Sequence, residues 1–275
     1  MNLIYFKSDI GNFGDDLNPW LWNKIFGDFE NYNSNVDFVG IGSILDNRIF
    51  ENRENKKVIF GSGVRDFDFR INEYENVDIR FVRGPISSRL TNSDFITDAA
   101  YALRQVETEN VLKKYKISYI PYFRNYYNFN WRLFEKILGI HVINPCEDIE
   151  KVIGEIKSSE TILTTAMHGA ILADLFRIPW MRVKFTKNGN ETNLTSELKW
   201  NDWLMSVGLK NINTHYLDFD LNYIVGKKKL AYNLLQFYRK FKYNDFILSK
   251  DDKIAEIDER ICKEISEVKN IYLNK

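Results

Sequence analysis

The sequence predicts an α/β protein made of two consecutive, doubly wound blocks followed by helices. Short, largely apolar runs alternate with helical stretches over residues 3–98, and the alternation repeats over residues 117–185. Small and charged residues gather just after these runs, where buried parallel strands of an open sheet end at a ligand-binding edge. Over the last ~60 residues the apolar spacing becomes helical.

Residues 3–6 read as the first strand, and a polar turn leads into a helix over 16–26. Residues 36–41 are the second strand, ending in Gly40-Ile41-Gly42-Ser43, and 57–60 the third, ending in Gly61-Ser62-Gly63. A fourth, 78–82, ends in Arg83-Gly84-Pro85, and a fifth, 94–97, ends at Asp98. The charged stretch 104–116 breaks the rhythm and is the expected link. Strands at 117–121, 140–143, 161–164 and 180–185 then alternate with helices at 131–138, 149–156 and 168–176. This gives one domain over 1–110, a second over 111–215 facing it across a cleft, and amphipathic helices over 216–275. In the last part Leu230, Leu234, Phe237, Tyr238 and Phe241 recur at helical spacing among lysines and arginines. Ile254, Ile257, Ile261, Ile265 and Val268 form a second stripe. Such helices suit packing on the core or on a second copy in a homo-oligomer. The basic-aromatic one also suits an anionic membrane face.

The 275 residues hold 38 Lys+Arg and 38 Asp+Glu, so the formal net charge is zero and there is no basic excess for nucleic acid. At 44% hydrophobic and 28% charged, the composition is that of a globular protein with a sizeable core. Cys146 and Cys262 lie far apart and outside any CxxC or CxxH pattern, so neither a metal cage nor a disulfide framework is expected. The apolar run at 3–6 is too short for a signal-peptide core, and no run of ~18 apolar residues occurs; a cytoplasmic protein is expected.

Three segments could carry chemistry. Gly11-Asn12-Phe13-Gly14-Asp15-Asp16 follows the first strand; its glycines admit an anion at a helix N-terminus, but its two carboxylates better suit helix capping or a sugar hydroxyl. It is not a dinucleotide fingerprint, and no phosphate-loop lysine follows. Arg83, before a Gly-Pro turn, can hold a carboxylate or phosphate bidentately or form an ordinary salt bridge. Asp98 is similarly placed and suits an N-cap. Of three histidines, His168 alone sits among small residues at a strand-to-helix junction, at the predicted cleft edge. Arg182, Lys184 and Lys187 lie downstream and could add positive charge.

Taken together, the segments resemble the polysaccharide pyruvyl transferase family, and the likeness runs from Leu3 to about Leu209. It is carried by GNFGDDLNPWLW (11–22), VGIGSIL (39–45), VIFGSGV (58–64), VRGPIS (82–87), ITDAAYAL (96–103), HVINP (141–145), MHGAILADLFRIPW (167–180) and KWNDWLMSVGL (199–209). The chain is similar to bacterial exopolysaccharide and succinoglycan-type members that contain the MHGAI and KW-x-DW segments.

The resemblance implies a glycosyltransferase-B-like pair of Rossmann-like domains. It implies transfer of pyruvate from phosphoenolpyruvate to two hydroxyls of a glycan sugar, giving a cyclic ketal in capsule, exopolysaccharide or other cell-surface glycan synthesis. No metal or redox cofactor is needed. Arg83 and His168 would meet the donor, with Gly63 beside them and Lys184 or Lys187 holding its charge. His168 would act as acid or phosphate binder and Asp15 or Asp16 as base. Asn12, Asp15 and Trp20 would lie on the acceptor side. A lipid-linked acceptor at the inner membrane face would account for the basic-aromatic helix. Two departures stand out: Thr165-Ala166 where many relatives carry an acidic residue or arginine, and Pro121-Tyr122 where relatives often have Pro-His. A nucleotide-sugar glycosyltransferase of the same architecture and a non-catalytic glycan-binding member are the alternatives.

Overall fold

The computed structural model describes residues 1–51, 54–71, 74–185, 193–210, 212–217 and 245–273. Among them, nine strands form two parallel sheets. The first holds β1 (Asn2–Ile4), β2 (Val36–Val39), β3 (Lys56–Phe60) and β4 (Val77–Phe81), side by side in chain order. Strand alternation sorts their side chains between two clusters. Phe38, Val58, Phe60 and Phe81 join the cluster of helix α1 (Phe13–Phe26), where Trp22 meets Phe38 and Phe60 edge-on at 5.0 and 5.3 Å. Val39, Ile59 and Val82 join a separate one with Leu45, Phe50, Val64 and Phe69.

The second sheet runs β6 (His141–Val142), β5 (Tyr115–Ile120), β7 (Ser159–Thr164), β8 (Trp180–Phe185) and β9 (His215–Leu217). The chain steps from β5 outward to β6 and then back past β5 to β7, so this sheet is doubly wound with its switch between β5 and β7. No such reversal occurs in the first sheet, a correction to the expectation of two doubly wound blocks. Alternating apolar runs reveal parallel strands without revealing their spatial order. The expected fifth strand at 94–97 is also absent as a strand and forms one bridge, Phe95 to Val82. Asn92 ends helix α2 (Pro85–Thr91) in the left-handed region just before it. Just after it, Thr97 pairs with Ser206, and Asp98 caps the 3-10 turn Ala99–Gln105. Residues 107–114, within the expected link, carry no regular structure.

Helices α3 (Trp131–Leu138), α4 (Ile149–Lys157) and α5 (Met167–Leu175) fall where the apolar spacing puts them. Helix α6 (Asn193–Ser206) and β9 are additional to the elements expected from the sequence. The halves share one core in which α1 lies against α4 and α5. Three polar links seal it: the Phe13 amide donates to the Pro145 carbonyl (2.9 Å), the Tyr101 hydroxyl to the Asp174 carboxylate (2.6 Å), and the Thr97 and Ser206 hydroxyls pair at 2.9 Å.

At a further contact, Gly84 lies so close to the Asp202 backbone on α6 that a Cβ would overlap the carbonyl. Backbone cannot swing aside as a side chain can. Gly84→Ala is therefore expected to destabilise the protein by about 1–3 kcal/mol, read as a lower midpoint in denaturant unfolding.

Helix α7 (Asp251–Val268) carries the second isoleucine stripe, and Ile254, Ile257, Ile261, Ile265 and Val268 are all buried. It returns to the first half, where Arg80 pairs with Glu264 (2.8 Å) and Glu267, and Arg104 with Asp258 (2.8 Å). The basic-aromatic stripe over 230–241 lies outside the described residues. Among those described, no helix is long and apolar enough to cross a membrane.

Candidate active site

The carboxyl ends of the two sheets open onto one cavity. The first sheet contributes Phe6 after β1, Ser43 after β2 and Arg65 after β3, and α1 adds Asn12 and Asp15 from its first turn. The second contributes Tyr122, Phe123 and Arg124 after β5, and Thr165 to His168 after β7. These two segments flank the switch point, where an open α/β sheet leaves a crevice. Helix α6 closes the wall with Lys199 and Trp200. Three cations (Arg65, Arg124 and Lys199) thus face one carboxylate, Asp15, among the lining residues.

The N-terminal motif splits into lining and scaffold. Asn12, the N-cap of α1, lines the cavity and donates its side-chain amide to Asp15. Asp16 turns back and accepts from the Asn12 backbone amide at 2.7 Å, so it caps the helix and is not among the lining residues. Pro19 lacks the N–H that would satisfy the Asp15 carbonyl, and the Asn18 side chain supplies the missing donor at 2.9 Å. Asn18 also exchanges hydrogen bonds with both backbone groups of Ile41, fastening α1 to the loop after β2. Trp20 lies away from the cavity, with its ring nitrogen donating to Glu150 (3.0 Å) and Lys24 over its ring at 4.6 Å.

Arg83 is fully buried one layer behind the wall. Its Nε donates to Asp202 at 3.1 Å and its Nη1 to the cavity-lining Ser43, while Nη2 has no hydrogen-bond partner among the described residues. The guanidinium occupies the space a Cβ on Gly63 would need, which is what that glycine provides. Asp202 also accepts from the Ile86 and Ser87 amides (2.9 and 3.0 Å) and the Ser87 hydroxyl (2.6 Å), so it is fully engaged.

His168 lines the cavity with its imidazole 12% exposed, and Gly14 leaves the space its Nδ1 edge fills. Burial, helped by the Lys199 and Arg83 charges, pushes His168 down to about 3, so its ring is neutral at pH 7. Asp98, fully buried, is raised to about 6 by burial, with Arg83 opposing the shift and Asp202 adding to it.

Lys184 pairs with Glu197 of α6 at 2.8 Å, and Arg182 grips the same carboxylate with two nitrogens (2.7 and 3.0 Å). Neither cation is among the lining residues. They brace α6, and Arg182 lies over the Trp200 ring at 4.4 Å. Lys187 lies outside the described residues. The other two histidines are elsewhere, His141 stacked on Tyr115 and His215 beside Asp245. Among the described residues no group of three or more His, Cys, Asp or Glu could hold a metal ion.

Residue-by-residue reading passed over Arg65, Arg124, Lys199, Ser43 and Asp202. A signal existed for three of them: Lys199 and Asp202 belong to the KW-x-DW segment, and Ser43 to VGIGSIL. The departures at 122 and 165 are joined in space, because the Thr165 hydroxyl accepts from the Tyr122 amide at 2.8 Å and latches the two switch-point loops together.

A model of the polysaccharide pyruvyl transferase family matches residues 5–183, which include β2 to β7, most of β8 and all of the cavity wall except α6. The chain belongs to the polysaccharide pyruvyl transferase family. Within reach of this family, a succinoglycan biosynthesis protein, ExoV of Rhizobium meliloti (strain 1021), is 33% identical over 217 residues. That alignment covers 76% of this chain and 66% of the relative, just under two thirds of its length. A crystal structure of an uncharacterized Klebsiella pneumoniae protein is 18% identical, with 73% of this chain and 87% of that one covered at a TM-score of 0.44. Most of the cavity wall lies within the matched region; the MHGAI segment supplies His168 to the lining, and VRGPIS supplies Arg83 to the layer behind it.

Proposed function

We propose that the protein transfers pyruvate from phosphoenolpyruvate onto two hydroxyls of one glycan sugar, in exopolysaccharide synthesis. The observation that carries this reading is the convergence of Arg65, Arg124 and His168, from the ends of both sheets, and Lys199, from α6, on one hollow. Phosphoenolpyruvate carries about three negative charges, which a protein holds only with paired cations. Family membership supports the pyruvyl group and the glycan acceptor.

The chemistry needs a proton delivered to the donor's methylene carbon while a sugar hydroxyl attacks the adjacent carbon. A second hydroxyl of the same sugar then attacks that carbon and phosphate leaves with the bonding electrons, so one donor and one diol give one ketal and one phosphate. His168, neutral at pH 7, gains basicity when the donor's charge counters Lys199 and Arg83, and it then serves as acid or phosphate ligand. Asp15, a carboxylate among the lining residues, takes a sugar proton. Arg83 acts from behind the wall by holding Ser43.

The test is phosphate release from phosphoenolpyruvate in the presence of glycan intermediates from the producing cell, with the product mass read in parallel. Release of a nucleoside diphosphate from a sugar nucleotide, with phosphoenolpyruvate untouched, would replace this reading with glycosyl transfer. Lys199→Met and Arg65→Met are each expected to raise KM for phosphoenolpyruvate by about 10- to 100-fold, the worth of one charge-assisted hydrogen bond. The rise should shrink with added salt for the exposed Arg65 more than for the half-buried Lys199.

A further inference from the structure

Behind the cavity, three buried polar atoms have no hydrogen-bond partner among the described residues: Arg83 Nη2, Asp98 Oδ2 and His168 Nε2. Buried polar atoms are normally satisfied, and each exception asks for a reason. Asp98 sits at the head of the 3-10 turn Ala99–Gln105, and its Oδ1 accepts the Ala100 amide at 3.0 Å. That cap needs one oxygen, which a neutral serine or asparagine also supplies. A carboxylate with no exposure costs far more to bury, so a cap alone does not account for it.

Of this carboxylate, Oδ1, the oxygen that also holds the cap, lies 3.9 Å from His168 Nε2, about 1 Å beyond hydrogen-bond reach. Among the charged groups around the pair, Arg83 is already matched by Asp202, which has taken its full set of donors. The charge of Lys199, on α6, also bears on the ring and disfavours its protonation. Asp98 is therefore the carboxylate left over for the imidazole. With a neutral ring the buried set of Arg83, Asp202, Asp98 and His168 carries one net negative charge; with a protonated ring it carries none.

We propose that Asp98 is a positioning residue: by a short closure its carboxylate accepts the Nε2 proton of His168, fixing the tautomer that turns Nδ1 to the donor and balancing the imidazolium once the donor binds. The Nδ1 edge lies over Gly14, whose neighbours Phe13 and Asp15 both line the cavity. This inference rests on the pyruvyl-transfer reading for its kinetic part and on the geometry alone for the tautomer.

The experiment combines histidine nitrogen NMR at pH 7 with steady-state kinetics on phosphoenolpyruvate, using His168→Gln to identify the ring's signals. Wild-type His168 is expected as the Nε2–H tautomer. Asp98→Asn, which keeps the cap, is expected to lower kcat about 10- to 100-fold with KM for phosphoenolpyruvate changed less than threefold. Asp98→Ser, which keeps the cap but cannot reach the ring, should lower kcat further and leave His168 as a tautomer mixture. An Nδ1–H tautomer in the wild type overturns the proposal without any variant. So does an unchanged kcat in either variant when it melts with the wild type. An Nε2–H ring that loses its preference in Asp98→Ser, in a protein inert toward phosphoenolpyruvate, upholds the positioning and defeats the pyruvyl-transfer reading instead.

Discussion

Replacing His168 by glutamine is expected to lower turnover of phosphoenolpyruvate by about 100- to 10,000-fold, the range lost with a positioned proton donor or acceptor. Glutamine nearly matches the imidazole in length and keeps hydrogen-bonding groups, so the seat over Gly14 stays filled and the melting temperature should hold. The cations Arg65, Arg124 and Lys199 remain, which confines most of the loss to kcat. Removing a ring that burial and two neighbouring cations keep uncharged relieves the site of no charge at rest. Phosphate release at saturating donor measures the effect. A variant within threefold of the wild type would remove His168 from the chemistry and leave it as packing at a strand-to-helix junction.

Arg83→Met is expected to cost about 3–5 kcal/mol of stability, because it strands a buried carboxylate. Arg83 and Asp202 are both fully buried and joined at 3.1 Å across the two halves. The remaining donors to Asp202, the Ile86 and Ser87 groups, are neutral and leave its charge without a counter-ion. For a chain of this size the melting temperature should fall by roughly 10 °C. Adding Asp202→Asn to Arg83→Met should recover part of that loss, since the two sites are directly coupled. An arginine whose main partner is the donor would behave otherwise: Arg83→Met would melt like the wild type and raise only KM.

The sequence-based reading placed β2, β3, β7, α4 and α5 within a few residues, because each is a compact apolar run between turn formers. It also placed Asn12, Asp15 and His168 at the edge where the cavity opens, since an α/β sheet collects its ligands at strand ends. What escaped it is what periodicity does not encode. The pairing of Arg83 with Asp202 spans 119 residues, and neither side chain signals the other. Arg65 and Arg124 are exposed arginines in loops and become part of a charged wall only when the two sheets face each other. Asp16 and Lys184 fit the required chemistry by type, yet one is engaged by a helix start and the other by Glu197. Strand order in the first sheet was equally invisible, as chain rhythm is the same for sequential and reversed winding.

The return of α7 to the first sheet bears on how the molecule is made. Arg80 finds Glu264 only after 184 further residues have been polymerised. At roughly 5–20 residues per second, a nascent first half therefore waits on the order of 10–40 s for its final apolar cover. During that interval the surface later hidden by Ile254, Ile257 and Ile261 is open to chaperones at the ribosome exit.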